Sequence, residues 1–222
     1  MSDEALSPHE LLTTTRSVRR GLDLSRSIDP ALLLQCLEIA LQAPNGADEQ
    51  AWRWIVVTDS SQRERIGDVY HRANAGFATA VRERAAAGDE AAARKLASSE
   101  TFWDHLGDVP ALIVAAFAAQ PWFDGTSPYA LASAYGSIFP AVWNLQLALR
   151  LEGLGSCLVT SHLRFHEEVA TILGLPPEFH QAGILAVGHL WRHRFSAAPR
   201  GPIADVVRLN YWRSEPDDPR TR

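Results

Sequence analysis

Little in this chain of 222 residues is suited to cross-linking or to crossing a membrane. It has two cysteines, Cys36 and Cys157, far apart and each inside an apolar segment, a placement that favours buried reduced thiols over a disulfide or a metal site. Its longest apolar run, Ala111 to Ala119, is about half of the roughly 18 residues a membrane-spanning helix needs, so none is expected. Asp3 and Glu4 precede any apolar stretch, so the N-terminus lacks the basic and apolar regions of a secretory signal, and a cytoplasmic location is expected. Basic charge is also short: 21 Lys and Arg stand against 26 Asp and Glu, for a net charge of -5. That balance leaves no basic face for general nucleic-acid binding, and any bound anion must be held by a local Arg cluster.

Several catalytic signatures are missing too. There is no Walker loop and no G-x-S-x-G elbow. Gly153-x-Gly155 follows a helical pattern and has Leu158 where a dinucleotide fingerprint needs its third glycine, which argues against a Rossmann nicotinamide site. His162 and His166, like His189 and His193, are four residues apart, but neither pair sits in a well-marked helix with a third ligand, so no metal site is expected. Repeats and low-complexity tracts are absent.

What is present reads as one globular domain over residues 1–213, with a tail from Ser214 that should be frayed. Ser7-Pro8-His9-Glu10 has capping-box spacing and predicts a helix to about Thr14. Asp29-Pro30 predicts a second helix, with Leu33, Leu37, Ala40 and Leu41 as its apolar stripe, stopping at Ala43-Pro44-Asn45-Gly46. Strands are predicted over Trp52–Thr58, Ala111–Ala118, Ser156–Thr160 and Ala182–Leu190; the second, wholly apolar, should be central. Between the first two strands, Ser61 to Ala97 reads as exposed helix broken near Gly88-Asp89. Pro128–Glu152 repeats Leu131, Tyr135, Ile138, Val142, Leu145 and Leu149 and predicts a long, mostly buried helix kinked near Pro140, and Glu167–Leu173 a short one. The alternating segment Ile203–Trp212 could add an edge strand.

Two stretches can carry binding chemistry. Arg16, Ser17 and Arg19 can converge on a small anion, since guanidinium forks make paired charge-assisted hydrogen bonds and the hydroxyl adds a neutral donor; a solvated basic turn is the plainer alternative. Arg200, in Pro199-Arg200-Gly201-Pro202, is a further cation from the far end of the chain. The loop Pro44-Asn45-Gly46 with Asp48 and Gln50 can bring backbone amides and polar groups to a flat ligand, or can be no more than a helix stop and a turn.

Taken together, Thr15-Arg16-Ser17-Val18-Arg19, the Ala-Pro-Asn-Gly-x-Asp-x-Gln-x-Trp stretch at 43 to 52, Gly-Leu-Gly-Ser-Cys-Leu-Val-Thr at 153 to 160 after a long helix, the Gly188 strand end and Pro199-Arg200-x-Pro202 resemble, in this order, the FMN-dependent nitroreductase family. The resemblance implies an α+β fold with a central mixed, mostly antiparallel sheet flanked by helices. It further implies a homodimer that exchanges its C-terminal arms and binds FMN at the subunit interface. It places the phosphate on Arg16, Ser17 and Arg19 of the segment holding Val18, with Arg200. Pro44, Asn45 and Gly46 of the partner, with Asp48 and Gln50, would lie against the isoalloxazine, and Leu158, Val159 and Thr160 along its other edge. The implied activity is ping-pong reduction of nitroaromatics, quinones or a similar flat small-molecule acceptor with NADH or NADPH, without an obligatory acid–base side chain, because flavin N5 carries the chemistry. Trp103, Trp122 and Phe123 fall where the family builds its substrate lid. Asp48 stands where the family usually has Asn; an ionised carboxylate accepts only and would disfavour an anionic reduced flavin beside it. That departure keeps open a flavin-binding protein for storage or sensing, or a specialised flavin-dependent dehydrogenase or flavin-modifying enzyme.

Overall fold

The structure is a computed structural model and describes residues 6–212. Capping sets the two N-terminal helices. In α1 (Pro8–Thr14) the Ser7 hydroxyl accepts the Glu10 N–H at 3.2 Å while the Glu10 carboxylate accepts the Ser7 N–H at 3.0 Å, so two otherwise orphaned donors are satisfied reciprocally. In α2 (Pro30–Ala40) the Asp29 carboxylate accepts the Ala31 N–H at 2.9 Å, with Pro30 at the first helical position.

The sheet is built from β1 (Leu22–Asp23), β2 (Trp52–Val57), β3 (Ala111–Ala118), β4 (Leu154–Val159) and β5 (Phe179–Leu190), and every pairing among them is antiparallel. β3 lies between β2 and β5, in register Trp54 to Ala115 on one side and Val114 to Ile184 on the other. β4 runs along the other edge of β5, Cys157 opposite Ala186. The two-residue β1 joins β5 at Leu190 and His189, beyond the end of β3. The expected centrality of the apolar strand therefore holds. β4 and β5 start earlier than their hydrophobic runs suggested, at Leu154 and Phe179.

Helices cover both faces. Alternation along β3 sends Leu112 and Val114 to one core, shared with Ile66, Val69, Trp103 and Cys157, and Ala111, Ile113 and Ala115 to the other, shared with Leu33, Cys36, Leu145 and Leu149. The first core lies under α3 (Ser60–Ala86), α4 (Glu90–Asp104) and α6 (His166–Leu173), the second under α2 and α5 (Pro128–Leu151). The two buried thiols thus sit on opposite sides of the sheet, which is why neither finds the other. α3 and α4 are separated at Gly88, whose φ of +89° suits glycine, as the sequence predicted. α5 runs unbroken through Pro140.

One close approach fixes the pose of α3. A Cβ at Gly67 would come 2.8 Å from the Gly107 nitrogen and 3.0 Å from its Cα, and a Cβ at Gly107 would come 2.9 Å from the Arg63 carbonyl oxygen. Arg63 also donates to the Gly107 carbonyl at 2.9 Å and to that of Val109. Backbone meets backbone here, so no side chain can swing aside. Gly67→Ala is expected to cost about 2 kcal/mol of stability, as overpacking does; a urea midpoint equal to that of the wild type would contradict it.

Three expectations need correction. Leu41 is the C-cap of α2 and is exposed, while Cys36 takes a place in the buried stripe. Ile203–Trp212 adds no edge strand: it forms the short helix α7 (Ile203–Val206) and then irregular chain, because it lies along no open strand of its own sheet. Its apolar side chains stay exposed, 75% for Ile203, 86% for Leu209 and 72% for Trp212. The sheet expected to be mixed is antiparallel throughout its described pairings. The tail from Ser214 lies outside the described residues. Among the described residues no helix is long and apolar enough to cross a membrane.

Candidate functional site

Two of the stretches singled out in the sequence meet in one cleft. The Val18 N–H donates to the Ser156 carbonyl at 2.9 Å, which ties the segment 16–19 to β4 and buries the Val18 side chain. Ser17 and Arg19 thereby come against Cys157, whose thiol is pushed up by burial. Arg19 then lines a cleft of about 330 Å³ together with Leu158, Val159 and Thr160 at the end of β4. Helices close its other side. Tyr70, Asn74 and Phe77 project from one face of α3 and Lys95, Ser99 and Trp103 from one face of α4, each set at helical spacing. Phe77 and Trp103 meet edge to face at 5.7 Å, an arrangement favoured by ring quadrupoles. Burial pushes the Tyr70 hydroxyl up to about 12, so it stays protonated at neutral pH.

The electrostatics of this cleft are one-sided. Arg82 is paired with Glu100 at 2.9 Å and Asp104 at 3.3 Å, Arg84 with Asp89 at 2.5 Å and Arg94 with Glu90 at 3.4 Å. Lys95 instead lies 4.8 Å from the centre of the Phe77 ring and, like Arg19 and Arg164 of the same cleft, meets no carboxylate among the described residues. Among the described residues no Asp or Glu lines the cavity. Such a surface suits an anionic or electron-rich planar ligand.

Beneath the cleft floor, His162 follows Thr160 and Ser161 in a 3₁₀ turn and is fully buried, with both ring nitrogens unpartnered. Burial, reinforced by His166, holds its pKa down at about 4, so the imidazole is neutral. Among the described residues no group of three His, Cys, Asp or Glu is placed to hold a metal ion.

The loop 44–50 stands elsewhere. Asn45 and Gly46 line a smaller cleft, about 120 Å³, on the α5 side of the sheet, with Trp122, Phe123, Tyr129 and Ser137. Three non-glycine residues of the loop, Ala47, Asp48 and Gln50, have φ near +50°, a conformation that costs about 1 kcal/mol or more apiece. Side chains hold it: Gln50 N–H donates to Asn45 Oδ1 at 3.0 Å, Gln50 Nε2 to Asp48 Oδ1 at 3.0 Å, and Gly46 N–H to Ser137 Oγ at 3.0 Å. Pro44, Asp48 and Gln50 do not line this cleft. The Asp48 carboxylate is engaged by the Gln50 amide within the loop. The aromatics named with the lid divide likewise, Trp103 on the α3–α4 side and Trp122 and Phe123 on the α5 side.

A third grouping lies at the far end of segment 16–19. Arg16 donates to the Ser196 carbonyl and its guanidinium is 5.6 Å from the centre of the Phe195 ring. Its Nε is buried without a partner. Arg200 follows Ser196 by four residues and is exposed, donating to the carbonyl of Pro199. The buried, unsatisfied donor of Arg16 and the cations around it fit a terminal phosphate, and the cleft beside Arg19 fits a planar ring; FMN has both. Sequence reasoning missed Arg150, Arg164, Tyr70 and Asn74, and weighed His162 only as a metal ligand. The helical spacing of 70, 74 and 77 was a usable signal; nothing marked the others.

An antiparallel sheet between two helical layers, with a cationic cleft at the end of β4 and a polar loop on the opposite face, defines an α+β protein of the nitroreductase type. The model of the nitroreductase family matches residues 12–189, and the chain belongs to that family. It is 29% identical over 158 residues to an iodotyrosine deiodinase of Thermotoga neapolitana, covering 71% of this chain and 75% of that one. The crystal structure of an oxidized iodotyrosine deiodinase bound to FMN and 3-iodo-L-tyrosine superimposes with a TM-score of 0.69 and 26% identity, over 92% of this chain and 99% of that one. A variant of the FMN and NADPH-dependent nitroreductase NfnB from Sphigopyxis sp. strain HMH shares the fold, with a TM-score of 0.67 and 22% identity over 93% and 100% of the two chains.

Proposed function

We propose that this chain is an FMN-dependent oxidoreductase of a homodimer, reducing a flat small-molecule acceptor with electrons from NADH or NADPH. The observation that carries this reading is the meeting of Arg19 with Leu158–Thr160 in one cation-lined cleft. Arg16, Ser17 and Arg200 would hold the phosphate of FMN, and the end of β4 would border its ring. Bound there, FMN would supply the electron-carrying chemistry. The protein's own part is binding and orientation: Phe77 and Trp103 offer aromatic surface to an acceptor, Tyr70 a protonated hydroxyl, and Lys95 and Arg164 positive charge. That charge favours acceptors that are anionic or become so as electrons arrive.

The two clefts support the dimer. They open on opposite faces of one sheet, so Asn45–Gly46 of one copy can border the ring only in the cleft of a second copy. The exposed apolar arm 203–212 supplies surface for such an embrace.

The test is an anaerobic absorption spectrum of the protein incubated with FMN and desalted, before and after NADPH or NADH. Retained flavin bands that bleach are expected. Bands that persist unbleached would favour storage or another reductant, and absence of flavin would contradict the site. A second reading, reductive deiodination, is favoured by the two deiodinase matches. Release of iodide from 3-iodo-L-tyrosine by the chemically reduced protein separates it from the first.

A further inference from the structure

Arg150 closes the last turn of α5 and is only 5% exposed, yet it meets no carboxylate among the described residues. Its Nη2 donates to the His193 carbonyl, its guanidinium lies 4.8 Å from the centre of the Phe195 ring, and its Nε is buried without a partner. Arg16 has the same three features three residues further along: a bond to the Ser196 carbonyl, the same Phe195 ring at 5.6 Å, and a buried, unpartnered Nε. The segment 193–196 is therefore gripped at both ends and at its central ring by two guanidinium groups that reach it from helix α5 and from the chain after α1.

Arg150 is buried and Arg16 half-buried, and two guanidinium groups about one ring lose hydration and repel one another unless an anion joins them. Desolvation is the only influence found on Arg150, and it works against the charge. Among the described residues no carboxylate meets either guanidinium, and each keeps a buried Nε that an incoming anion could satisfy. The same segment leads within four residues of Ser196 to Arg200, a third cation.

We propose that Arg150 is a positioning residue for the phosphate end of the cofactor site. It clamps His193 and Phe195 so that Arg16 and the 196–200 segment face a terminal phosphate, and that dianion balances the two guanidinium charges. This inference rests on the FMN reading above and extends it to a residue outside the motifs that suggested it.

Affinity for FMN set against affinity for riboflavin, which lacks only the phosphate, isolates the effect; both are measured by flavin fluorescence quenching. In Arg150→Met the dissociation constant of FMN is expected to rise about tenfold or more while that of riboflavin stays within about twofold, since charge-assisted contacts to phosphate are the ones disturbed. Arg150→Lys, which keeps the charge without the fork, should recover part of the FMN affinity and guards against a Met variant that does not fold. Equal losses for the two ligands would mean a purely structural clamp, and no loss for either would mean no role; each overturns the proposal. If the wild-type chain binds neither flavin, the FMN reading fails separately. Inorganic phosphate then decides: it should raise the melting temperature of the wild type more than that of Arg150→Met, and equal rises overturn the anion site.

Discussion

A chain ending at Pro202 is expected to behave as a monomer and to retain no FMN after desalting, whereas the full chain should sediment at about twice its 24.4 kDa. The reasoning starts from area. Ile203, Val206, Leu209, Tyr211 and Trp212 are between 58% and 86% exposed, and together with Trp191, at 68%, they form more apolar surface than a solitary protein usually shows to water. Each such side chain, once covered, contributes about 1.5–3 kcal/mol. Losing five of them therefore shifts a dimerisation equilibrium by several orders of magnitude, at about 1.4 kcal/mol per decade. Because the arm packs on no strand of its own sheet, the truncated chain should keep its two cores and its circular dichroism. A truncated chain that remained dimeric would show that the arm is not the adhesive element, and a full-length chain that sedimented as a monomer would remove the dimer altogether.

The second large effect is on acid stability. His162 is fully buried with neither ring nitrogen bonded, and its pKa lies at about 4 against 6.5 when unfolded. The unfolded chain thus binds a proton that the folded chain refuses. Stability is complete above about pH 6.5 and falls as pH drops toward 4, the sense required when the unfolded state holds more protons. A separation of about 2.5 pH units, at about 1.4 kcal/mol each, amounts to about 3.5 kcal/mol. For a chain of this size that lowers the melting temperature by about 10 °C. His162→Leu should flatten this acid limb, and it forfeits no hydrogen bond in doing so. An unchanged limb in that variant would assign the effect to other groups.

Local chemistry made most of the fold legible. The Ser7–Glu10 box, Asp29-Pro30, the apolar run at 111–118 and the three-and-four spacing of 131–149 each specify an element through contacts within a few residues. The failures are long-range. Leu41 continues the stripe of α2 by spacing, but the helix ends at Ala40 and turns it outward. The strand β1, two residues long, exists only because β5 offers it an edge. Ile203–Trp212 alternates like a strand but has no sheet of its own to join. At the site, two of the motif segments come together, Arg19 and 158–160 sharing a cleft. The sequence could not say that the loop 45–50 opens on the opposite face, a consequence of which core each element packs against. Nor could it mark Arg150, since a basic residue in the last turn of a helix is also what the helix dipole favours at an exposed position.

The division of the site between two faces of the sheet also has a genetic consequence. In the assembly proposed above, each ring is bordered by the arginine half of one copy and the loop half of the other. A chain defective in the first half and a chain defective in the second, each inert alone, would together assemble mixed pairs in which one of the two sites is whole. In that assembly, damage to this gene would be divisible: two broken alleles would not be two broken enzymes, provided that they were broken on different sides of the sheet.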